Sequence, residues 1–363
     1  MTMKMFNDIY KNKKVLVTGN TGFKGSWLSI WLLKLGAKVY GISKDIPTEP
    51  SMFEEVGLEK KIVHYNKDVR DLKSVKEIIN KIKPDFLFHL AAQSLVSVSY
   101  TVPVDTISTN VLGTANILEA LRTSNHNCIG IIITSDKCYD NVEWVWGYKE
   151  TDALGGKDIY SGSKGAAELI IKSYHHSFFN KSDSNVKIVS VRAGNVIGGG
   201  DWAKDRIVPD CIRSWSNDEI VEIRSPNATR PWQHVLEPLA GYLQLGEQLL
   251  GEPLVGAEAW NFGPPPEAHR PVRQVIEAFA EAWPAVRFQI DGATHPHEAQ
   301  HLHLDCSKAA KRLHWHPVWD LPTTLRRSAL WYRQQHEQGA LRSHEDLQCY
   351  VRDARQLARV WAA

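Results

Sequence analysis

A chain of 363 residues has room for one large or two ordinary domains, with a core that needs no disulfide or metal staple. It is 43% hydrophobic and 23% charged, as a globular protein is, and its 43 Lys and Arg against 41 Asp and Glu leave +2. That balance excludes simple electrostatic binding to nucleic acid or membrane. The five cysteines are scattered, without a CxxC pair, which argues against a disulfide framework or zinc knuckle and for a reducing cytoplasm. The polar, Lys-rich start predicts no signal peptide, and no apolar run reaches the ~18 residues of a membrane span.

Residues 14–17 form a short apolar run ending at Thr18-Gly19, which predicts a first strand. After a glycine-punctuated turn, residues 27–35 carry helical periodicity that Gly36 stops. Further strands are predicted at 38–42, 62–65, 85–90, 129–133 and 186–191, and helices at 72–82, 103–122 and 159–179. This alternation predicts an α/β fold, a Rossmann-like doubly wound parallel sheet covered on both faces. Beyond Arg192 the pattern breaks up, with loops marked by Gly198-Gly199-Gly200 and Pro264-Pro265-Pro266. The expected domains are 1–191, carrying cofactor and reactive residues, and 192–363, mainly a smaller mixed substrate lobe with some segments returning to the sheet. Residues 343–363 read as a polar helix.

The basic residues are divided unevenly. Residues 1–189 hold 22 Lys and 2 Arg, whereas 190–363 hold 3 Lys and 16 Arg. The shift reads as a join between sequences of different coding composition within residues 190–235. The densest histidine cluster, His295, His297, His301 and His303, has no HExxH and is interrupted by Pro296. It reads as a solvated loop with nearby strand, and no metal site is predicted.

Gly19, Gly22 and Gly25 form GxxGxxG directly after the first strand, opening a helix. Glycines there permit a tight turn and close approach to a pyrophosphate, and the helix N-terminus offers free N–H groups. Composition alone yields about 0.1 such triplets by chance. Thr21, Phe23 and Lys24 complete this cofactor loop. After the second strand, Asp45 can accept from a ribose 2′-OH, favouring NAD, while Lys44 can attract a 2′-phosphate, favouring NADP. Asp68 and Val69, after the third strand, are placed to meet the adenine edge.

Tyr160 and Lys164 form YxxxK, one helical turn apart on one face. An ammonium beside a phenol stabilises phenolate, so Tyr160 can serve as acid and base. The motif alone means little, since about 0.8 matches arise by chance. Tyr10/Lys14 and Tyr40/Lys44 match as well, but only Tyr160 opens the helix after the fifth strand. That strand ends in Ser135-Asp136-Lys137, a hydroxyl, a carboxyl and an ammonium where open α/β sheets bind ligands. These are more proton-transfer groups than hydride transfer requires. Cys138 reads as a packing residue. In the second half, Arg206 and Arg230 suit a pyrophosphate, with Asn195 as an amide donor, while Trp202 and Trp232 read as core.

On Gly19, Gly22, Gly25, Asp68, His89-Leu90-Ala91-Ala92, Asn110, Ser135, Tyr160 and Lys164, the chain resembles an extended short-chain dehydrogenase/reductase. Nucleotide-sugar 4,6-dehydratases of that superfamily carry a Thr/Ser-Asp-Glu/Lys trio, most of them Thr-Asp-Glu. Ser-Asp-Lys is similar to their CDP-glucose branch. Segments 192–206, 230–235 and 260–264 agree, and the likeness spans roughly residues 10–335. The resemblance implies NAD as cofactor, held by the glycine loop, Asp68, Val69, Leu90, Ala91, Ala92, Tyr160 and Lys164. It implies CDP-glucose as substrate, with Gln93, Asn110, Asn195, Arg206 and Arg230 around it. Tyr160 would take the C4 hydroxyl proton as hydride leaves C4, Lys137 would remove the C5 proton, and Asp136 would protonate the departing C6 hydroxyl. It further implies a homodimer or dimer of dimers, paired through helices 103–122 and 159–179, and a role in bacterial O-antigen lipopolysaccharide. A sister 4-epimerase would keep Tyr160 and Lys164 without needing Asp136 and Lys137. A non-catalytic dinucleotide-binding module would commonly lack the Tyr/Lys pair.

Overall fold

The computed structural model describes residues 4–181, 184–223, 226–251, 258–283, 287–290 and 302–363. His295, His297 and His301 therefore lie outside the described residues. Seven strands build one sheet: β1 (Lys14–Thr18), β2 (Lys38–Ser43), β3 (Val63–Asn66), β4 (Phe86–His89), β5 (Cys128–Ile133), β6 (Val186–Ala193) and β7 (Ala259–Phe262). Their order is β7-β6-β5-β4-β1-β2-β3, all parallel. The order reverses between β1 and β4, so the C-terminal ends of those strands face a crevice. The main helices are α1 (Phe23–Lys34), α2 (Leu72–Ile82), α3 (Gly113–Thr123), α4 (Ile159–Tyr174), α5 (Ile207–Ser216), α6 (Leu236–Gly251), α7 (Val272–Ala282), α8 (Leu321–Gln338) and α9 (Ser343–Gln356).

Strand alternation divides the sheet's side chains between two cores. Val15, Val17, Phe86, Phe88, Ile129 and Ile131 join the face covered by α1 and α6. Leu16, Leu87 and Ile132 join the opposite face with Val75, Ile117, Leu121 and Ile171 from α2, α3 and α4. A third core, with Trp202, Ile212, Trp215, Trp232, Phe279, Trp331 and Tyr332, forms the smaller lobe. Trp202 and Trp232 are thus core residues, as expected, and buried Cys138 packs with Tyr139 and Tyr148.

One difference from the sequence reading has a clear cause. Helix α1 begins at Phe23 rather than at residue 27, with Gly25 inside it. A Cβ at Gly25 would lie 2.1 Å from the Gly19 carbonyl oxygen, so close packing of the helix on its own loop requires this glycine. Segments of the second half join the sheet and its core. Strand β7 pairs with β6, and Leu236, Trp260, Leu313, Trp319 and Tyr350 belong to the main core. The Lys-rich and Arg-rich parts thus share one sheet.

The C-terminal helix is not merely polar, because it covers α1. Helix α1 is apolar around nearly its whole circumference and must be buried on both sides. Trp31 meets Tyr350 of α9 at 5.8 Å and Trp361 at 5.6 Å, and Trp361 stacks on Phe6 at 5.1 Å. The Glu237 carboxylate of α6 accepts from the Val318 and Trp319 amides and from the Tyr350 hydroxyl at 2.7–2.9 Å. Trp361→Ala should lower unfolding stability by about 3–5 kcal/mol, read in urea titrations.

Candidate active site

The crevice at the β1/β4 reversal is walled on one side by the glycine loop. Gly19 has φ +71, and a Cβ on it would sit 2.7 Å from the Ala91 amide nitrogen. A Cβ on Gly22 would meet only the Gly19 carbonyl, at 3.5 Å, so this side of the loop is open. Gly22 caps α1 without any side-chain hydrogen bond, leaving the first helical N–H groups available. Thr21 Oγ1 donates to the Asp45 carbonyl at 2.8 Å, fixing the loop to the end of β2. These features fit a pyrophosphate. The Asp45 carboxylate is exposed and 3.8 Å from Lys44.

The opposite wall is the Leu90-Ala91-Ala92 segment after β4. Thr18 Oγ1 accepts from the Ala91 amide at 3.1 Å and lies 2.7 Å from His89 Nδ1. His89 Nε2 lies 3.1 Å from Thr114 Oγ1, which donates to the Asn110 carbonyl. That chain assigns the proton to Nε2. Burial, then the charge of Lys164, pull His89 down to about 3, so the ring is neutral. Asp68 is engaged by Arg70, which donates to it from its backbone and guanidinium at 2.6–2.9 Å. Burial raises the Asp68 carboxyl, but the hydrogen bonds and charge of Arg70 outweigh this and leave it below its ordinary value. Val69 is buried against Gly113.

The reactive groups converge at the end of β5. Ser135 caps the short Asp136–Cys138 turn, accepting from the Lys137 amide at 3.2 Å and donating to Asp136 Oδ1 at 3.0 Å. Burial raises the Asp136 carboxyl above its usual range, while Lys137, the Ser135 hydrogen bond and Lys24 oppose the rise. Lys137 is half-buried beside it. Asp158 caps α4, accepting from the Ser161 amide at 2.9 Å, and Tyr160, Lys164 and Glu168 follow along one face. Tyr10 and Tyr40, the other motif matches, lie before β1 and within β2.

Burial pushes the Tyr160 phenol up to about 12, with Ser135 and the charge of Arg206 opposing the rise. Burial lowers Lys164 to about 8, with Cys138 and Glu168 opposing. Arg206 thus reaches the reactive cluster from the second half of the chain. It donates to Asp201 Oδ2 at 2.8 Å and to Ser94 Oγ at 3.2 Å.

The other expected substrate residues divide. Asn195 is half-buried in the turn after β6. Arg230 is buried in a short strand opposite Arg270 and donates to the Thr229 carbonyl at 3.0 Å. Asn110 exchanges hydrogen bonds with the Gln93 backbone at 2.9 and 3.0 Å and donates to Ser163 at 2.9 Å. The Gln93 amide is held by Leu95 and Thr106. Gln93 and Asn110 therefore form a strap between the post-β4 loop and α4.

Sequence reasoning missed the group that seats α4. Glu168 and Arg192 form an ion pair at 2.8 Å, each only 3% exposed. Glu168 also accepts from Thr134 of the β5 end and from Ser190 of β6. Arg192 donates to the Tyr139 hydroxyl at 2.8 Å, and Tyr139 donates to Asn261 of β7 at 2.8 Å. The available signal was spacing, since Glu168 follows Lys164 by one turn. Glu168→Gln should strand a buried guanidinium and lower stability by about 3–5 kcal/mol, measured by chemical unfolding. Replacing both partners by apolar residues should recover most of that loss.

A glycine loop at β1, a YxxxK helix and a Ser-Asp-Lys turn on one parallel sheet define a short-chain dehydrogenase/reductase of the extended type. The chain belongs to the GDP-mannose 4,6 dehydratase family, whose model matches residues 16–258. It is 48% identical over 330 residues to a CDP-glucose 4,6-dehydratase of Salmonella typhimurium, covering 90% of this chain and 92% of the relative. Identity is 25% over 339 residues to a dTDP-glucose 4,6-dehydratase of Haemophilus influenzae, covering 88% and 97%. Among solved structures, a Thermus thermophilus UDP-glucose 4-epimerase in complex with NAD superposes with TM-score 0.75 at 24% identity, covering 88% of this chain and 99% of that one. An epimerase of Methanothermobacter thermautotrophicus gives TM-score 0.79 at 22% identity, covering 93% and 96%.

Proposed function

We propose that this protein is a CDP-glucose 4,6-dehydratase, converting CDP-D-glucose to CDP-4-dehydro-6-deoxy-D-glucose and water. The observation that carries this reading is the Ser135-Asp136-Lys137 turn seated beside Tyr160, because elimination needs two proton transfers beyond those of alcohol oxidation. The 48% identity to a CDP-glucose enzyme supports the choice of nucleotide.

The glycine loop, the open N-terminus of α1, Leu90, Ala91 and Ala92 would hold NAD. Bound there, NAD supplies the hydride acceptor for C4 and the hydride that later enters C6. Tyr160, buried and under the positive charge of Arg206, takes the C4 hydroxyl proton. The C4 ketone acidifies the C5 hydrogen, and Lys137 removes it. Asp136, which burial keeps protonated to higher pH than an exposed carboxyl, delivers a proton to the C6 hydroxyl as water leaves. Arg206 and Arg230, with Asn195, supply cations and an amide for the diphosphate.

Incubation with CDP-glucose and NAD should give a 4-keto product lighter by one water. A 4-epimerase would leave the mass unchanged, and activity with dTDP-glucose alone would overturn the nucleotide assignment. Tyr160→Phe should lower kcat by about 100-fold or more. Lys137→Ala should stop C5 proton exchange with solvent, and exchange at the native rate would remove Lys137 as the base.

We also propose a homodimer. The outer face of α3 and the segment before it exposes Val104 at 76% and Leu112 at 50%, beside Leu169 of α4 at 55%. Val104 and Leu112, with Ile107, Val111, Ala115 and Ile170, line an open apolar groove. The double variant Val104→Glu/Leu112→Glu should sediment as a monomer where the native chain sediments as a dimer. The described cysteines are all unpaired, and no helix among the described residues is long and apolar enough to cross a membrane. Both features support a cytoplasmic setting, and the product suits deoxysugar supply for bacterial O-antigen lipopolysaccharide.

A further inference from the structure

A loop, residues 198–206, carries Arg206 and passes three neighbours in turn. Gly198 packs on the Phe23 ring of α1, where a Cβ would lie 3.3 Å away, and the Gly199 carbonyl accepts from the Trp27 indole at 3.0 Å. Gly200, at φ +84, lies against Met52, whose sulfur a Cβ would meet at 2.7 Å. At the far end Asp205 accepts from the Ser97 hydroxyl at 2.7 Å, and Arg206 donates to Ser94 at 3.2 Å. The loop therefore runs from the segment after β2 to the segment after β4, past the glycine loop that follows β1.

Met52 belongs to a single helical turn, Met52–Glu55, capped by Ser51. Ser51 accepts from the Glu54 amide at 3.3 Å and donates to the Glu54 carboxylate at 2.7 Å, a closed capping box. The next carboxylate, half-buried Glu55, turns to the second half of the chain instead. Its Oε2 accepts from Trp202 Nε1 at 3.1 Å and its Oε1 from Gln335 Nε2 at 2.9 Å. Trp202 lies in the loop and Gln335 in α8, so one carboxylate bonds to both elements that hold Asp201. Trp202 is the chain neighbour of Asp201. From α8 the Tyr332 hydroxyl donates to the Asp201 carbonyl at 2.7 Å and accepts from its amide at 3.0 Å. The Tyr332 ring meets Trp202 edge-on at 5.3 Å. Asp201 Oδ2 in turn holds the Arg206 guanidinium at 2.8 Å.

We propose that Glu55 is a positioning residue for substrate binding: by tying Trp202 to α8 it sets Asp201, and through Asp201 the guanidinium of Arg206 that meets the substrate diphosphate. This rests on the nucleotide-sugar reading above. An arginine side chain has much rotamer freedom to lose. A guanidinium already held in place binds a diphosphate better than one that must be ordered on arrival. Glu55 acts through the loop and takes no part in the proton or hydride transfers.

The test titrates CDP into the NAD-loaded protein by calorimetry, because CDP carries the diphosphate and cannot react. Glu55→Ala should weaken CDP binding about tenfold, and Arg206→Met about a hundredfold. The double variant should bind within about twofold of Arg206→Met alone, since the effect of Glu55 passes through Arg206. A general loosening of the fold would add its loss to that of Arg206→Met. Glu55→Gln should stay within about threefold of native, because its oxygen can still accept from Trp202 while the Gln335 amide turns over to accept from the new N–H group. Gln335→Ala removes one of the two contacts and should weaken CDP about threefold, which keeps the proposal testable if Glu55→Ala does not fold. Additive losses in the double variant, or a loss of NAD affinity with CDP binding unchanged, overturn the proposal. Water loss from CDP-glucose is assayed separately. If it is absent while CDP binds, the dehydratase reading fails and the titrations still decide the role of Glu55. If CDP does not bind, UDP, dTDP and GDP take its place in the same titrations, and a native chain that binds none of them overturns both.

Discussion

The helix that carries Tyr160 and Lys164 has to be held against the ends of β5 and β6, and a buried charge pair does the holding. Glu168 sits one turn beyond Lys164, and its carboxylate gathers Thr134, Ser190 and Arg192 into one network. Burying such a pair is expensive, and every lone pair left over must find a donor. The network meets most of that demand, leaving Arg192 Nε without a partner among the described residues, and continues through Tyr139 to Asn261, so β5, β6, β7 and α4 are pinned at one point. A small rotation of α4 would break hydrogen bonds that water cannot replace. The phenol and ammonium consequently stand where the strands end.

Around that anchor the site is assembled from both halves of the chain. The glycine loop and the Ser135-Asp136-Lys137 turn come from before residue 190, whereas Arg206 comes from after it. The positive charge of Arg206 acts on Tyr160, and Arg206 is steadied by Asp201 and Ser94 across the crevice. This explains why the change from Lys to Arg along the chain does not divide two independent domains. Of the Arg residues, Arg206 reaches the reactive cluster. Others, such as Arg312 and Arg342, pair with carboxylates on the surface.

The C-terminal segment illustrates a different dependence. Residues 343–363 look polar in sequence, yet Leu347, Tyr350, Val351, Ala354 and Trp361 are buried. They cover the outer face of α1, whose inner face supports the cofactor loop. A sparse apolar stripe suffices because α1 brings its own tryptophans to the contact. The same logic explains why β7 escaped the sequence reading. Four residues between loops carry too little periodicity to be distinguished, and their pairing with β6 supplies the regularity.

What the sequence determined by itself were the features set by local chain geometry. Glycine spacing dictates a turn that packs on its own helix, and an i, i+4 pair must share a helix face. Alternating strands and helices admit few arrangements besides a doubly wound sheet, and these readings survive almost unchanged. What only the tertiary structure decided were the relations between distant groups: Arg206 brought to the reactive cluster, Asp68 bound to Arg70, Asn110 and Gln93 joined as a strap, and Glu168 paired with Arg192. Those depend on distance and on exclusion of water between residues far apart in the chain, and neither quantity exists until the sheet has closed over its helices.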